Sequence, residues 1–130
     1  MKVLYIIRGI SGSGKTSLAN KLSPFVYSAD DWFTDEDGNY DFLPEFLADA
    51  HADCFTNVEC AMLDGIEEEN DVLAVANTFS QAWEAQPYFK LAKRYGYSSF
   101  VVECQNTFKN VHGVPQETIN AMENRWESLR

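Results

Sequence analysis

The strongest constraint on this chain is residues 9–16, which read GISGSGKT and match the phosphate-binding loop pattern GxxxxGK[ST]. The apolar residues 3–7 precede this loop, and a helical pattern follows it. Closely spaced glycines let backbone N–H groups point at phosphate oxygens, Lys15 can reach the β and γ phosphates, and the Thr16 hydroxyl can bind Mg²⁺. The segment therefore predicts a site for ATP or GTP with Mg²⁺. The cofactor-binding candidates are Gly9, Ser11, Gly12, Ser13, Gly14, Lys15, Thr16 and Ser17, and Thr16 is also a candidate metal ligand.

Length and composition predict one domain that spans residues 1–130, because a chain of this size builds a single core. The chain opens without a signal-peptide pattern, and no apolar run approaches the roughly 20 residues that span a bilayer. We therefore expect a cytoplasmic protein with no membrane contact. The cysteines Cys54, Cys60 and Cys104 show no CxxC spacing, and we expect all three to be unpaired core residues.

Charge limits the class of partner. The net charge is −10 and the isoelectric point is about 4.5, so the chain lacks the broad basic surface that binds long nucleic-acid duplexes. A short nucleic-acid end or a small hydroxyl compound can still enter a locally positive site at the loop and the helix N-terminus. The sequence leaves the oligomeric state open.

Apolar runs alternate with helical periodicity along the chain. The predicted strands are residues 3–8, 25–28, 72–76 and 98–103, and the predicted helices are residues 14–22, 44–63, 81–94 and a last one from Pro115. Gly65 should end the second helix, and Gly96 the third. We expect an irregular start to the third helix, because Pro87 belongs in a first turn. The alternation predicts a single α/β domain with a mostly parallel sheet covered by helices on both faces. Together with the loop at residues 9–16, it indicates a P-loop domain.

Ligands of parallel sheets bind beyond the carboxyl ends of the strands, which selects residues after each predicted strand. Asp30 and Asp31 follow the second strand, and Asn77 and Thr78 follow the third. Phosphoryl transfer needs a carboxylate near the attacking hydroxyl, and Asp30 is the best placed. Since successive strand side chains point to opposite faces, only one aspartate should face the phosphate, and Asp31 should fix the loop or bind the metal. Both could instead be ordinary cap or turn residues.

Several segments occur along the chain in an order that resembles the phage polynucleotide 5′-kinase group and its AAA-like ATP-binding relatives. These segments are the loop 9–16, Ser28-Ala29-Asp30-Asp31-Trp32-Phe33, Ala50-His51, Asn77-Thr78, Trp83-Glu84-Ala85-Gln86-Pro87-Tyr88, Tyr95-Gly96-Tyr97 and Asn110-Val111-His112-Gly113-Val114-Pro115. The resemblance implies a single P-loop, nucleoside-kinase-like α/β domain. It also implies a kinase that moves the γ-phosphate of ATP to a hydroxyl, typically the 5′-hydroxyl of a polynucleotide. It implies Asp30 as general base, Lys15 at the γ-phosphate and Thr16 at the metal.

The chain also departs from that group. The family has an acidic residue next to Asn-Thr-Asn after the third strand, where this chain has Ala76, and it has arginines after the aspartate pair and in the lid before the last helix. The lid segment here offers Lys109, which we take as a catalytic candidate, and His112. Lysine lacks the bidentate geometry of arginine. We therefore also consider an ATP-binding interaction module with weak or no phosphotransfer.

Two further expectations concern function. A simple nucleotide hydrolase is disfavoured, because no glutamine or glutamate follows the third strand to orient water. His51 lies within the predicted long helix, and we expect it to be a half-buried, hydrogen-bonded structural residue rather than a catalyst.

Overall fold

The computed structural model describes residues 1–10, 13–104, 117, 120, 125, 126, 128 and 129. The strands are β1 (Lys2–Arg8), β2 (Phe25–Tyr27), β3 (Asp71–Asn77) and β4 (Ser98–Glu103). The helices are α1 (Lys15–Leu22), α2 (Leu47–Asp64) and α3 (Ala82–Tyr95), with 3₁₀ helices at Ala29–Phe33 and Pro44–Phe46. The predicted last helix from Pro115 falls mostly outside the described residues.

All four strands pair in parallel in the order β2-β3-β1-β4. Alternate residues of β1 face opposite sides of the sheet. Ile7 packs with Ala19 of α1, whereas Leu4 and Ile6 pack with α2 and α3. The predicted fold class is therefore confirmed: a parallel sheet lies between α1 on one face and α2 with α3 on the other.

Helix α3 corrects one prediction. It begins regularly at Ala82 and continues through Pro87, although proline cannot donate the usual backbone hydrogen bond. The start is fixed by a capping box, in which the Gln81 N–H donates to Glu84 Oε2 at 3.2 Å. The carbonyl that loses its donor belongs to Trp83, which is 68% exposed, so water can replace the missing hydrogen bond. The helix ends as predicted, at Gly96, whose φ of 78° favours glycine.

The cysteines are unpaired, but they do not all lie in the core. Cys54 is buried, Cys104 is half-buried and Cys60 is exposed. Cys60 differs because the buried side of α2 repeats every four residues at Cys54, Val58 and Met62, which turns position 60 towards solvent. Within the described ranges, the helices are too short or too polar to cross a bilayer.

Candidate active site

The loop between β1 and α1 brings its ends close together. The Ser13 N–H donates to the Ile10 carbonyl at 3.1 Å, and the Leu18 N–H donates to the Gly14 carbonyl at 3.0 Å. Gly14 caps α1 with φ 86°, a left-handed conformation that glycine adopts without strain. The predicted binding residues Ser11 and Gly12 lie outside the described residues.

Gly9 leaves room for the Ser13 side chain. A Cβ at Gly9 would lie 2.2 Å from Ser13 Oγ and 3.2 Å from Cys104 Cβ. The Ser13 side chain is buried, and its hydroxyl has no hydrogen-bond partner in the described part of the chain. An oxygen-rich ligand lying in the loop would supply that partner.

Lys15 is a buried cation. Lys15 is only 7% exposed. Its ammonium group makes no ion pair or hydrogen bond to any residue that the structure describes. Burial lowers the pKa of Lys15, and the nearby charges of Asp30 and Cys104 offset this only in part. Since a buried charge needs a partner, the site is suited to an anion.

The N-terminus of α1 adds further donors. No side chain caps it, and its first turn carries no acidic residue. Backbone N–H groups at such an end attract phosphate. The hydroxyl-bearing residues Thr16 and Ser17 in this first turn are both exposed.

The aspartate pair follows β2 as expected, but it lies in the 3₁₀ helix Ala29–Phe33 rather than in strand geometry. Ser28 begins this helix, and its hydroxyl accepts from the Asp30 N–H at 3.1 Å. The two carboxylates diverge because each residue of a 3₁₀ helix turns by about 120°. Asp31 Oδ2 accepts from the Ser28 N–H at 3.2 Å, whereas Asp30 Oδ1 accepts from the Tyr40 hydroxyl at 3.2 Å.

Desolvation raises the pKa of Asp31, although the Ser28 N–H partly offsets this effect and the charges of Asp30 and Asp53 add to the rise. The hydrogen bond from the Ser28 N–H lets the Asp31 carboxylate stabilise the turn. Asp30 is the aspartate whose charge acts on Lys15.

Asn77 joins β3 to this turn. Its Oδ1 accepts from the Ala29 N–H at 2.8 Å and from the Ser28 hydroxyl at 3.4 Å, and its Nδ2 donates to Cys54 Sγ at 3.7 Å. Asn77 is buried, so these contacts replace those with water. The side chain fixes the turn that presents Asp30.

Arg8, the last residue of β1, was not among the site residues predicted from the sequence. It is 4% exposed, its Nη2 donates to the Phe79 carbonyl at 2.7 Å, and its guanidinium lies 3.9 Å from the Trp126 ring centroid. Phe79 has φ 49°, which is unusual for a bulky residue. Arg8 thus holds a strained turn after β3. A charged residue at the end of an otherwise apolar strand was the available signal.

His51 also departs from the sequence expectation. It is exposed, and no hydrogen bond to it is found among the described residues. Desolvation still lowers the pKa of its ring, while the charges of Glu84 and Asp30 oppose that shift. The lid candidates Lys109 and His112 lie outside the described residues.

Metal binding would depend on few protein ligands. In residues 1–10, 13–104 and the short described pieces beyond, no group of three or more His, Cys, Asp or Glu side chains could hold an ion. Mg²⁺ in phosphate sites usually keeps several waters and takes one or two protein ligands together with phosphate oxygens. The exposed Thr16 hydroxyl beside the loop fits that pattern.

Comparison with known proteins gives relatives and a shared fold. No protein-family model matches the chain. Human NEDD4-binding protein 2 is 33% identical over 134 residues, which are 92% of this chain but 7% of that protein. The uncharacterized protein PM0531 of Pasteurella multocida (strain Pm70) is 30% identical over 134 residues, 94% of this chain and 75% of that protein.

Two solved structures share the architecture. A protein from Chloroflexus aurantiacus j-10-fl with a provisional kinase assignment superposes with a TM-score of 0.59 at 16% identity, over 79% of this chain and 58% of that chain. The APS kinase CysC of Mycobacterium tuberculosis superposes with a TM-score of 0.53 at 16% identity, over 98% of each chain. This chain has the P-loop kinase fold and belongs to the same family as the Pasteurella multocida protein.

Proposed function

We propose that this chain is a phosphotransferase that moves the γ-phosphate of ATP to a hydroxyl group. The observation that carries the proposal is the buried Lys15, which lacks an anionic partner among the described residues and feels the charge of Asp30 from the neighbouring element. A triphosphate supplies the missing anion. The kinase fold of the structural neighbours supports the same reading.

The loop and α1 bind the triphosphate. Gly9 gives the space in which the loop closes, the Ser13 hydroxyl and the N–H groups at the start of α1 donate to phosphate oxygens, and Lys15 neutralises charge at the γ-phosphate. Thr16 would hold Mg²⁺, which when bound reduces the repulsion between phosphate oxygens. Asp31 is a weaker metal candidate, because Oδ2 already accepts a backbone hydrogen bond.

Asp30 acts as the general base. The acceptor oxygen attacks the γ-phosphorus, its proton passes to the Asp30 carboxylate, and the bond from phosphorus to the β–γ bridging oxygen breaks to release ADP. Lys15 stabilises the charge that develops on the phosphoryl oxygens. Lys109, a candidate from sequence alone, would add positive charge from the lid.

For the acceptor, the sequence resemblance to polynucleotide 5′-kinases favours the 5′-hydroxyl of a short nucleic-acid end. A nucleotide or a small hydroxyl compound is compatible with the acidic surface as well. We place the protein in the cytoplasm, because its three cysteines are unpaired, as is usual in a reducing compartment.

A second candidate function is an ATP-binding interaction module with little transfer. Ala76 favours it, because this residue is fully buried against α1 at the place where the resembled family has an acid. A site without that carboxylate loses part of its metal binding. Transfer assays decide between the two functions.

The test uses γ-labelled ATP with a panel of acceptors: a 5′-hydroxyl oligonucleotide of ten bases, nucleosides and glycerol. Wild type should label one class of acceptor, and Lys15→Ala should weaken ATP binding at least tenfold and remove labelling. Asp30→Asn should keep the ATP affinity within about twofold while lowering transfer at least a hundredfold, as expected for loss of a general base. Asp37→Asn is the matched control, since it makes the same charge change at an exposed loop position.

Each result has a distinct meaning. Labelling that is lost in Asp30→Asn and kept in Asp37→Asn supports the kinase. ATP binding without labelling of any acceptor supports the interaction module. Unchanged ATP affinity in Lys15→Ala would remove the loop from the site.

A further inference from the structure

Tyr40 contacts the carboxylate that we propose as the base. Its hydroxyl donates to Asp30 Oδ1 at 3.2 Å, and both residues are half-buried. Burial raises the pKa of Tyr40, and the charge of Asp30 adds to the rise. The phenol therefore stays protonated at neutral pH and acts as the donor in this hydrogen bond.

The segment between Asp30 and Tyr40 is ordered by its own contacts. Thr34 and Tyr40 form an antiparallel bridge, and the Asp41 N–H donates to the Phe33 carbonyl at 2.9 Å. Between Thr34 and Tyr40, the Asp35 carboxylate accepts from the N–H groups of Asp37 and Asn39 at 2.9 and 2.8 Å. This hairpin, residues 34–40, ends at the tyrosine.

Packing fixes the ring as well as the backbone. The Tyr40 ring meets Phe33 edge-on with centroids 6.3 Å apart, and it packs against the cluster of Ala29, Phe33 and Ala50. The Thr34 hydroxyl also donates to the Asp30 carbonyl at 2.9 Å. The hairpin and the 3₁₀ helix Ala29–Phe33 thus form one unit around Asp30.

We propose that Tyr40 is a positioning residue for phosphotransfer, whose hydroxyl fixes the Asp30 carboxylate in the orientation that receives the acceptor proton. The inference rests on the proposed function, since it assigns Asp30 as the base. A carboxylate that rotates away loses alignment with the acceptor hydroxyl, and small misplacements in such a site cost large factors in rate. Nucleotide binding does not need this orientation, because the triphosphate contacts the loop and Lys15.

The experiment compares Tyr40→Phe with Tyr95→Phe. Phenylalanine keeps the ring contacts of Tyr40 and removes only the hydroxyl. Tyr95 is the matched control, because its hydroxyl donates to a carboxylate, Glu59 Oε2, at 2.9 Å on the far part of α3. Rates are measured with γ-labelled ATP and the ten-base 5′-hydroxyl oligonucleotide, together with the KM for ATP and the melting temperature of each variant.

We expect Tyr40→Phe to lower kcat about tenfold, with the KM for ATP within about twofold of wild type and Tyr95→Phe unchanged in both. A kcat of Tyr40→Phe within twofold of wild type would overturn the inference and leave the proposed function intact. An equal fall in both variants would assign the effect to stability and overturn the inference too. A wild type that labels no acceptor in the panel removes the proposed function, and the inference with it.

Discussion

Replacing Lys15 by methionine should stabilise the protein while it weakens ATP binding. Such opposite effects follow from one fact: the ammonium group is buried and has no direct partner among the described residues. Methionine fills similar space, favours helix and carries no charge. Exchanging a poorly compensated buried charge for an apolar group is often stabilising, and here we expect about 1–2 kcal/mol because Asp30 offsets part of the cost.

The expected shift is measurable. With an unfolding entropy of about 2.1 cal/mol/K per residue, this gain raises the Tm of a 130-residue domain by about 4–7 °C. The same substitution removes charge-assisted hydrogen bonds to phosphate worth about 1.5–3 kcal/mol, which raises the Kd for ATP roughly 10- to 100-fold. Thermal unfolding by circular dichroism and calorimetric titration with ATP measure the two effects.

The pH dependence supplies an independent check. Because burial lowers the pKa of Lys15 below 10.5, the unfolded chain binds more protons than the folded chain between the lowered pKa and 10.5. Wild-type stability therefore gains from this group as pH rises through that window. Lys15→Met lacks the gain, so the difference in Tm between the two proteins should shrink at alkaline pH.

Lys21→Met is the control. Lys21 is exposed in the last turn of the same helix, where a cation interacts favourably with the helix dipole. Its replacement should lower stability slightly, by about 0.3–1 kcal/mol, and leave the Kd for ATP unchanged. The reasoning is refuted if Lys15→Met melts at or below the wild-type temperature and binds ATP as tightly.

Three further substitutions test the surroundings of the site. Asn77→Ala leaves the buried Ala29 N–H without its acceptor and should cost about 2–3 kcal/mol in urea unfolding, whereas a loss below about 0.5 kcal/mol would contradict the contact. Gly9→Ala forces the Ser13 side chain to move, so we expect about 1–2 kcal/mol of destabilisation and weaker ATP binding by titration. Asp31→Ala removes the carboxylate that caps the 3₁₀ helix and should lower stability by about 1 kcal/mol, with labelled-phosphate transfer kept within about threefold.

Apolar runs and helical periodicity together predicted the layers of this fold, because buried parallel strands read as continuous apolar runs. The fourth strand was predicted at residues 98–103 and lies at Ser98–Glu103, and the first differs by one residue. Gly65 and Gly96 marked the ends of α2 and α3 correctly. A helix end of this kind depends on only a few neighbouring residues, so it can be predicted from the sequence.

The surroundings of Asp30 were not predictable in the same way. Its hydrogen bond to Tyr40 joins residues ten apart, and it depends on a hairpin whose geometry arises from several short contacts. The 3₁₀ helix after β2 escaped prediction because Ser28 reads equally well as the end of a strand. His51 was misjudged because the amphipathic pattern of α2 gives the buried side of the helix but not how far each neighbouring residue is covered.

The end of β3 shows how neighbouring residues serve opposite faces of the sheet. Asn77 points towards α2 and fixes the turn that carries Asp30, whereas Ala76 points towards α1 and contributes only an apolar contact. A carboxylate at position 76 would face α1, which carries Thr16 in its first turn. Without it, affinity for Mg²⁺ must come mainly from phosphate oxygens, so the metal and ATP should bind together rather than in sequence.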